Sequence, residues 1–419
     1  MLNKSRERGP ALLTFDEALE RVISEASHHK LSSEGVSLDA ACGRVLAAAL
    51  AAPGDQPACD NSAMDGYCIR HSDAASARPE APITLPVAGE AMAGRPLAAL
   101  PDMNAAYIAT GGMLPENADT VVKIEDVSVS ADGKSVTFSS IPPVGTYIRR
   151  QGKDVRAGDI VLPAGESLSP FAIGTVASLG RMVIPVTRQP RIALMTSGDE
   201  IVMPFDEPKP WQVRNANSYA LASLIRESGG VPVDFGIVRD CPKRAMAVLR
   251  DAFSTCDLIV TCGGVSMGKK DPFIAAFREL GVDIRVHGVA IRPGKPFFFG
   301  LFEGKPLFGL PGNQASCVVT FEIFARPFIR RVLGDRCPDR LLMRLSPTLP
   351  LVNHTGRDHF MRARLTVDPA NDGRPCADVF QQQDSHLLTS LIGANLLVRH
   401  PGSLESAGTD TLLECRLTS

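Results

Sequence analysis

The runs PRIALMTSGDE (190–200) and DLIVTCGGVSMGKKD (257–271) each carry a short apolar stretch into a glycine turn that bears charge. Both belong to a segment, 190–334, in which strand-like and helix-like stretches alternate. Residues 192–195 precede a helix-like stretch near 218–228. Residues 232–238 precede one near 243–253, and 258–261 precede one near 272–280. Runs at 297–301 and 307–310 lead into a long helix over 315–333. Strands that alternate with helices predict a parallel, doubly wound sheet.

The texture changes on both sides of this segment. Residues 14–30 predict an amphipathic helix, with Thr14 as N-cap and Glu17 at the capping-box spacing. Residues 36–52 are rich in Ala and predict a second helix, ended by Pro53. From 55 to 146, short β-like runs (83–87, 106–109, 120–124, 135–138) alternate with Gly and Pro turns. Residues 147–186 read as mixed: an extended start, a short helix near 170–179, then a strand to 186. Residues 340–419 return to short strands. The expected organisation is multidomain α/β plus β. It comprises a discontinuous, mixed N-terminal domain (1–54 and 147–186), an inserted β-rich domain (55–146), an α/β domain (187–335) and an all-β C-terminal domain (340–419).

The chain has 419 residues, of which 44% are hydrophobic and 21% charged. Those are the proportions of globular protein, not of a disordered chain or a rod. Lys and Arg number 44 against 46 Asp and Glu. This near balance argues against a broad nucleic-acid surface and leaves room for a local anion pocket. Ten cysteines are scattered through apolar segments with no C-x-x-C pair. They predict reduced, mostly buried thiols and a cytoplasmic location. No signal-peptide core and no run of about 18 apolar residues is present, so no membrane span is expected.

In doubly wound sheets the ligand sits beyond the C-terminal ends of the strands. Four turns fall there. Thr196-Ser197-Gly198-Asp199-Glu200 puts carboxylates beside a tight turn; alone, it reads equally well as a solvated turn. Cys262 to Asp271 carries Gly263, Gly264 and Gly268, with Ser266 among them, before a helix. Free amides and a helix dipole suit an anion there. The spacing approaches a P-loop, but Lys270 stands where Ser or Thr must bind Mg²⁺, which excludes that motif. Arg292-Pro293-Gly294-Lys295-Pro296 sets two cations about a rigid turn, which suits an oxyanion. Gly309-Leu310-Pro311-Gly312-Asn313 opens the last helix, with Asn313 able to cap it. Together the turns bring Asp199, Glu200, Asp240 and Asp271 to one sheet edge. Carboxylates beside a phosphate cradle point to Mg²⁺. Outside this segment, the turns 60–67 and 150–159 are dense in polar and charged side chains, although either alone reads as a domain-junction loop.

Taken in order, these motifs resemble the molybdopterin molybdenumtransferase family, the molybdenum insertases that include the gephyrin E domain. The matching runs are DNSAMDGY (60–67), TGGMLPENADTVV (110–122), GKDVRAGD (152–159), SGDEIV (197–202), NANSYAL (215–221) and TCGGVSMGKKD (261–271). AIRPGKPFFFG (290–300), GLPGNQAS (309–316), FMRARL (360–365) and SLIGANLLV (390–398) follow. The resemblance covers nearly the whole chain. It implies an elongated homodimer of four-domain subunits, with one domain folded like the molybdopterin adenylyltransferases and a β-barrel-like C-terminal domain. Molybdopterin adenylyltransferase and other cofactor-biosynthesis proteins are the implied partners. The implied reaction takes adenylylated molybdopterin and molybdate, with Mg²⁺, to molybdenum cofactor and AMP.

The resemblance also implies roles. Asp65, supplied by the partner subunit, and Asp154 join Glu200, Asp240 and Asp271 as catalytic acids, the last three also as metal ligands. Gly263, Gly264, Ser266 and Gly268 cradle phosphates. Arg292 and Lys295 hold phosphate or molybdate. Ser62, Thr196, Gly198, Asp199, Asn217, Pro311, Gly312 and Asn313 border the substrate. The chain departs from the family pattern at Gly288, where many relatives carry lysine, with His287 adjacent. It departs also at Lys269-Lys270, at Lys153 and at Arg292, which replaces a lysine. Two alternatives stay open: a catalytically inactive scaffold of the same fold, and an insertase for another oxyanion such as tungstate.

Overall fold

The computed structural model describes residues 12–265, 271–368 and 373–418. By internal contacts they form two compact units. One comprises 12–48, 165–173 and 182–418; the other comprises 49–164 and 174–181.

The larger unit is built on a six-stranded sheet. Its order is Val231–Val238, Arg191–Ser197, Leu258–Cys262, Lys305–Leu310, Phe298–Phe302, Asp283–His287. The first four strands are parallel, as expected. The last two pairings are antiparallel, so Phe298–Phe302 alone runs against the rest. The cause is local: Glu303 (φ 49°) and Gly304 (φ 78°) both sit at positive φ. A two-residue hairpin with that geometry folds the chain straight back, where a parallel partner would need a crossover. The edge strand 283–287 was not foreseen from the sequence.

Both faces of the sheet are covered, so its central strands are apolar without alternation. Ile192, Leu194, Leu258, Val260, Phe308 and Leu310 pack on one side with Phe324 and Phe328. Ala193, Met195, Ile259 and Leu307 pack on the other with Leu249, Phe253, Phe273 and Phe277. Fully burying one such Leu, Ile or Phe is worth roughly 1.5–3 kcal/mol.

The long C-terminal helix of this segment is helical throughout but not uniform. It runs as Gln314–Thr320, a π-turn over Phe321–Ala325, and Arg326–Val332. Pro327 accounts for the irregularity: its ring displaces the carbonyl four residues earlier and it has no N–H to give. Asn313 occupies the N-cap position, but its side chain makes no capping bond. It reaches Ser385 Oγ instead, at 3.0 Å.

The first helix, Phe15–Ala26, forms with the full Thr14–Glu17 capping box and ends four residues short of the expected 30. The helix expected over 36–52 does not form. A strand (Ser33–Ser37), one 3₁₀ turn (Leu38–Ala40) and a two-residue strand (Leu50–Ala51) replace it. Val45 and Leu46, both 1% exposed, bridge to Ser167 and Val186. That long-range pairing outweighs the helix propensity of alanine.

The C-terminal residues form a second sheet, ordered Ile291–Arg292, Asp358–Asp368, Leu396–His400, Leu413–Leu417, Leu342–Leu345. Its first strand is the Arg292 turn itself, which pairs Arg292 with His359. The smaller unit holds a third six-stranded sheet, ordered Thr120–Lys123, Gly66–Ile69, Ala105–Ile108, Ile83–Ala91, Ser135–Phe138, Val127–Val129. Its core includes Tyr67, Ile69, Leu85, Val122, Val136 and Phe138. No helix among the described residues is long and apolar enough to cross a membrane. None of the ten cysteines forms a disulfide.

Candidate functional site

The parallel strands Arg191–Ser197, Leu258–Cys262 and Lys305–Leu310 end side by side. The turns that follow them line a cavity of about 840 Å³. Gly198, Glu200, Asn217, Asp240, Gly263, Gly264, Asp271, Pro311, Gly312 and Asn313 all border it. Ten of the positions read from the sequence therefore meet in one place.

The glycine turn is a steric necessity. Gly264 has φ +68°, and a Cβ there would stand 2.5 Å from Ser197 Oγ and 2.6 Å from Phe273 Cδ2. Gly263, at φ +80°, would meet the Ser197 carbonyl at 2.9 Å. No side chain fits between this turn and the neighbouring strand, so backbone lines the cavity there. Ser266 and Gly268 lie outside the described residues, as do Lys269 and Lys270.

The acids repel one another. The Asp240 amide donates to Asp199 Oδ1 at 3.3 Å. Burial, then the charges of Asp199 and Glu200, hold the Asp240 carboxyl above the ordinary carboxylate range. Asp271 caps the helix Pro272–Leu280 by position. Among the described residues, no three His, Cys, Asp or Glu side chains stand close enough to hold a metal by themselves.

Asn217 opens the helix Asn217–Glu227 and faces the same cavity. Its Nδ2 donates to the Gly312 carbonyl (2.8 Å) and to Cys262 Sγ (3.1 Å). Its Oδ1 is buried without a donor among the described residues. An unmet acceptor in that position suits a ligand N–H. Thr196 is 1% exposed and receives Asn215 Nδ2 at 3.3 Å. Neither Thr196 nor Asp199 lines the cavity; each supports a neighbour that does.

Arg292 and Lys295 line a different cavity, of about 280 Å³, together with Arg357, Asp384 and Ser385. Pro296 and Asn313 border both cavities. The carboxylates and the cations thus occupy adjoining compartments, where the sequence suggested one. Arg357, Ser316 and residues 383–386 were missed by motif reading. Arg357 is an isolated arginine in a polar turn, and 383–386 have no glycine or charge pattern to mark them. Gly288 is at φ +86° and a Cβ there would stand 2.9 Å from Leu12 Cδ2. His287 beside it is half-buried, and burial lowers its pKa.

Ser62, Asp65 and Asp154 belong to the smaller unit. Ser62 is fully buried, and its hydroxyl donates to the Met64 carbonyl at 2.6 Å. Asp65 is exposed and accepts the Thr110 amide at 2.7 Å. Asp154 is exposed and, with Lys153, Arg150 and Arg156, lines a cavity of about 560 Å³.

Comparison with known proteins covers almost the whole chain. Residues 13–180 match the MoeA N-terminal region (domain I and II), 193–331 the probable molybdopterin binding domain, and 348–411 the MoeA C-terminal region (domain IV). The molybdopterin molybdenumtransferase of Haemophilus influenzae is 32% identical over 96% of this chain and 98% of its own. That of Synechococcus elongatus is 34% identical over 97% and 99%. The crystal structure of the molybdopterin biosynthesis moeA protein from Pyrococcus horikoshii OT3 superposes with a TM-score of 0.84 at 25% identity, covering 97% of this chain and all of that one. Fold and sequence agree: the chain belongs to the molybdopterin molybdenumtransferase family.

Proposed function

We propose that this chain acts in molybdenum cofactor biosynthesis, taking adenylylated molybdopterin and molybdate to molybdenum cofactor and AMP. The observation that carries the reading is the pair of adjoining cavities. One joins a backbone-lined glycine turn to Glu200, Asp240 and Asp271; the other gathers Arg292, Lys295 and Arg357. The first suits a nucleotide-linked pterin phosphate and the second a tetrahedral oxoanion. Pro296 and Asn313, common to both, lie where the two reactants would meet.

The residues divide the work. The Gly263-Gly264 turn lets phosphate oxygens approach the backbone. Asn217 Oδ1 accepts from the ligand. Arg292, Lys295 and Arg357 hold the oxoanion and stabilise charge that develops on the cleaved phosphate. Mg²⁺ fits beside Glu200 and Asp240, because those carboxylates repel each other and hard cations take oxygen ligands. It would supply neutralisation of phosphate charge there.

The family resemblance and the exposed Met182 (66%) and Val183 (65%) support a homodimer. The polar turns bearing Asp65 and Asp154 are its candidates for completing the partner's site. Ten cysteines without a disulfide fit the cytoplasm. Molybdopterin adenylyltransferase, the implied source of the adenylylated substrate, is the expected partner.

The test is direct. Purified protein given adenylylated molybdopterin, molybdate and Mg²⁺ releases AMP and forms cofactor that activates a molybdenum apoenzyme. No AMP release with any divalent ion overturns the reading. Cofactor formation with tungstate in preference to molybdate would move it to the other oxoanion.

A further inference from the structure

Arg362 is the largest fully buried side chain in the described structure, at 0% exposure. It lies on the strand Asp358–Asp368, and its hydrogen bonds go to carbonyls and a hydroxyl rather than to a carboxylate. A buried guanidinium without a carboxylate is costly unless its donors are satisfied. Here they are satisfied almost wholly by one loop. Nη2 donates to the carbonyls of Gln382 (3.3 Å) and Asp384 (3.2 Å), and Nη1 to that of Gln383 (3.2 Å). Nε and Nη2 both reach Ser390 Oγ, whose hydroxyl donates to the Leu387 carbonyl. The backbone is tied in as well: the Arg362 amide donates to Gln383 Oε1, and Gln383 Nε2 returns to the Arg362 carbonyl.

Three consecutive carbonyls thus point at one side chain. In a trans peptide the C=O and the following N–H are antiparallel. The amides of Gln383, Asp384 and Ser385 therefore point away from Arg362. None of the three donates to any described residue. All three residues line the cavity of Arg292, Lys295 and Arg357. Amides left without a partner in a cavity wall are donors that an anion can take up. Burial first, and the Arg292 charge after it, lower the Arg362 pKa, while the Asp384 charge opposes them.

We propose that Arg362 is a positioning residue for the oxoanion cavity. It winds residues 382–390 about its guanidinium, so that the amides of Gln383, Asp384 and Ser385 present to the bound oxoanion. Its own charge, buried behind the loop, offsets that of Asp384 at the cavity wall. The oxoanion site is in this sense built from the C-terminal sheet, through a residue that never touches the ligand. This rests on the reading of the cavity as the molybdate compartment.

The test begins with wild-type protein and sodium molybdate, by calorimetry and amide hydrogen exchange. Saturating molybdate is expected to slow exchange at residues 383–385. Arg362→Met is expected to weaken molybdate binding about 10- to 100-fold, the range for losing hydrogen bonds to a charged group. AMP affinity and kcat at saturating molybdate should change less than about threefold. Arg362→Lys keeps the charge but cannot fork to three carbonyls, so it should recover only part of the loss. A general folding defect would lower AMP and molybdate binding together. If Arg362→Met does not fold, Arg362→Lys and wild-type exchange still decide. Unchanged molybdate affinity in a folded variant, or exchange at 383–385 indifferent to molybdate, overturns the inference. Wild-type protein that binds no molybdate overturns the reading beneath it, and the inference with it.

Discussion

The backbone amide of Asp240 donates to the Asp199 carboxylate at 3.3 Å, although both side chains are acids. The contact fixes the Asp240 loop against the strand-end turn and keeps two negative charges near each other. Burial, Asp199 and Glu200 together hold Asp240 above the usual carboxylate range. Removing one neighbouring charge must lower that pKa. Asp199→Asn keeps an acceptor for the amide, so it isolates the charge. We expect the acid limb of the kcat/KM profile to move to lower pH, by up to about one unit. A limb that stays in place rules out Asp240 as the titrating group.

The same shift makes a stability statement. A carboxyl whose pKa is raised by folding favours the folded state most when protonated. That contribution is complete below the ordinary value near 3.8 and is lost as pH rises through the raised folded value. At pH 7 the ionised Asp240 therefore costs stability. Asp240→Asn should raise Tm at pH 7, leave it unchanged near pH 3, and abolish turnover. A lower Tm at pH 7 would mean that the carboxylate holds the loop together.

The two cavities should separate in kinetics. Lys295 borders the oxoanion compartment but not the larger one. Lys295→Gln is expected to raise the KM for molybdate about tenfold and leave AMP affinity unchanged. Asp271→Asn, in the larger cavity, should lower turnover without altering molybdate binding. Parallel changes in both parameters for both variants would show one undivided pocket.

Gly264 leaves less freedom. A Cβ would stand 2.6 Å from Phe273 Cδ2 and 2.5 Å from Ser197 Oγ, at a φ that side chains avoid. Gly264→Ala should destabilise the protein by roughly 1–3 kcal/mol and weaken AMP binding. Chemical denaturation and calorimetry read these separately. A fully stable, fully active variant would show that the turn has room.

The sequence announced the sheet edge because glycines and charges follow apolar runs there, and each such signal is local. Glu200, Asp240, Asp271 and the Gly263-Gly264 turn were legible for that reason. The division into two compartments was not. It depends on Arg357 and residues 383–386, brought from the C-terminal sheet by the pairing of Arg292 with His359, a contact 67 residues apart. The false helix over 36–52 has the same origin, since Val45 and Leu46 answer to Ser167 and Val186 rather than to their neighbours. Long-range pairing leaves no local pattern to read.

That pairing also buries His359. It is 7% exposed, its Nε2 has no partner among the described residues, and it lies within the fields of Arg292, Arg362, His400 and Arg357. Burial first, then those charges, push its pKa down to about 3 from 6.5. The neutral ring is what folds. Its contribution is complete above the unfolded value of 6.5 and is lost as pH falls toward 3, because the unfolded chain takes up the proton first. Between pH 7 and pH 5 that linkage amounts to about 2 kcal/mol, at 1.36 kcal/mol per unit. His359→Phe removes both the orphaned nitrogen and the titration. Chemical denaturation at the two pH values should show wild type losing about 2 kcal/mol more than the variant. Equal losses would mean that His359 takes up its proton without unfolding, and so that the cations around it are screened from it.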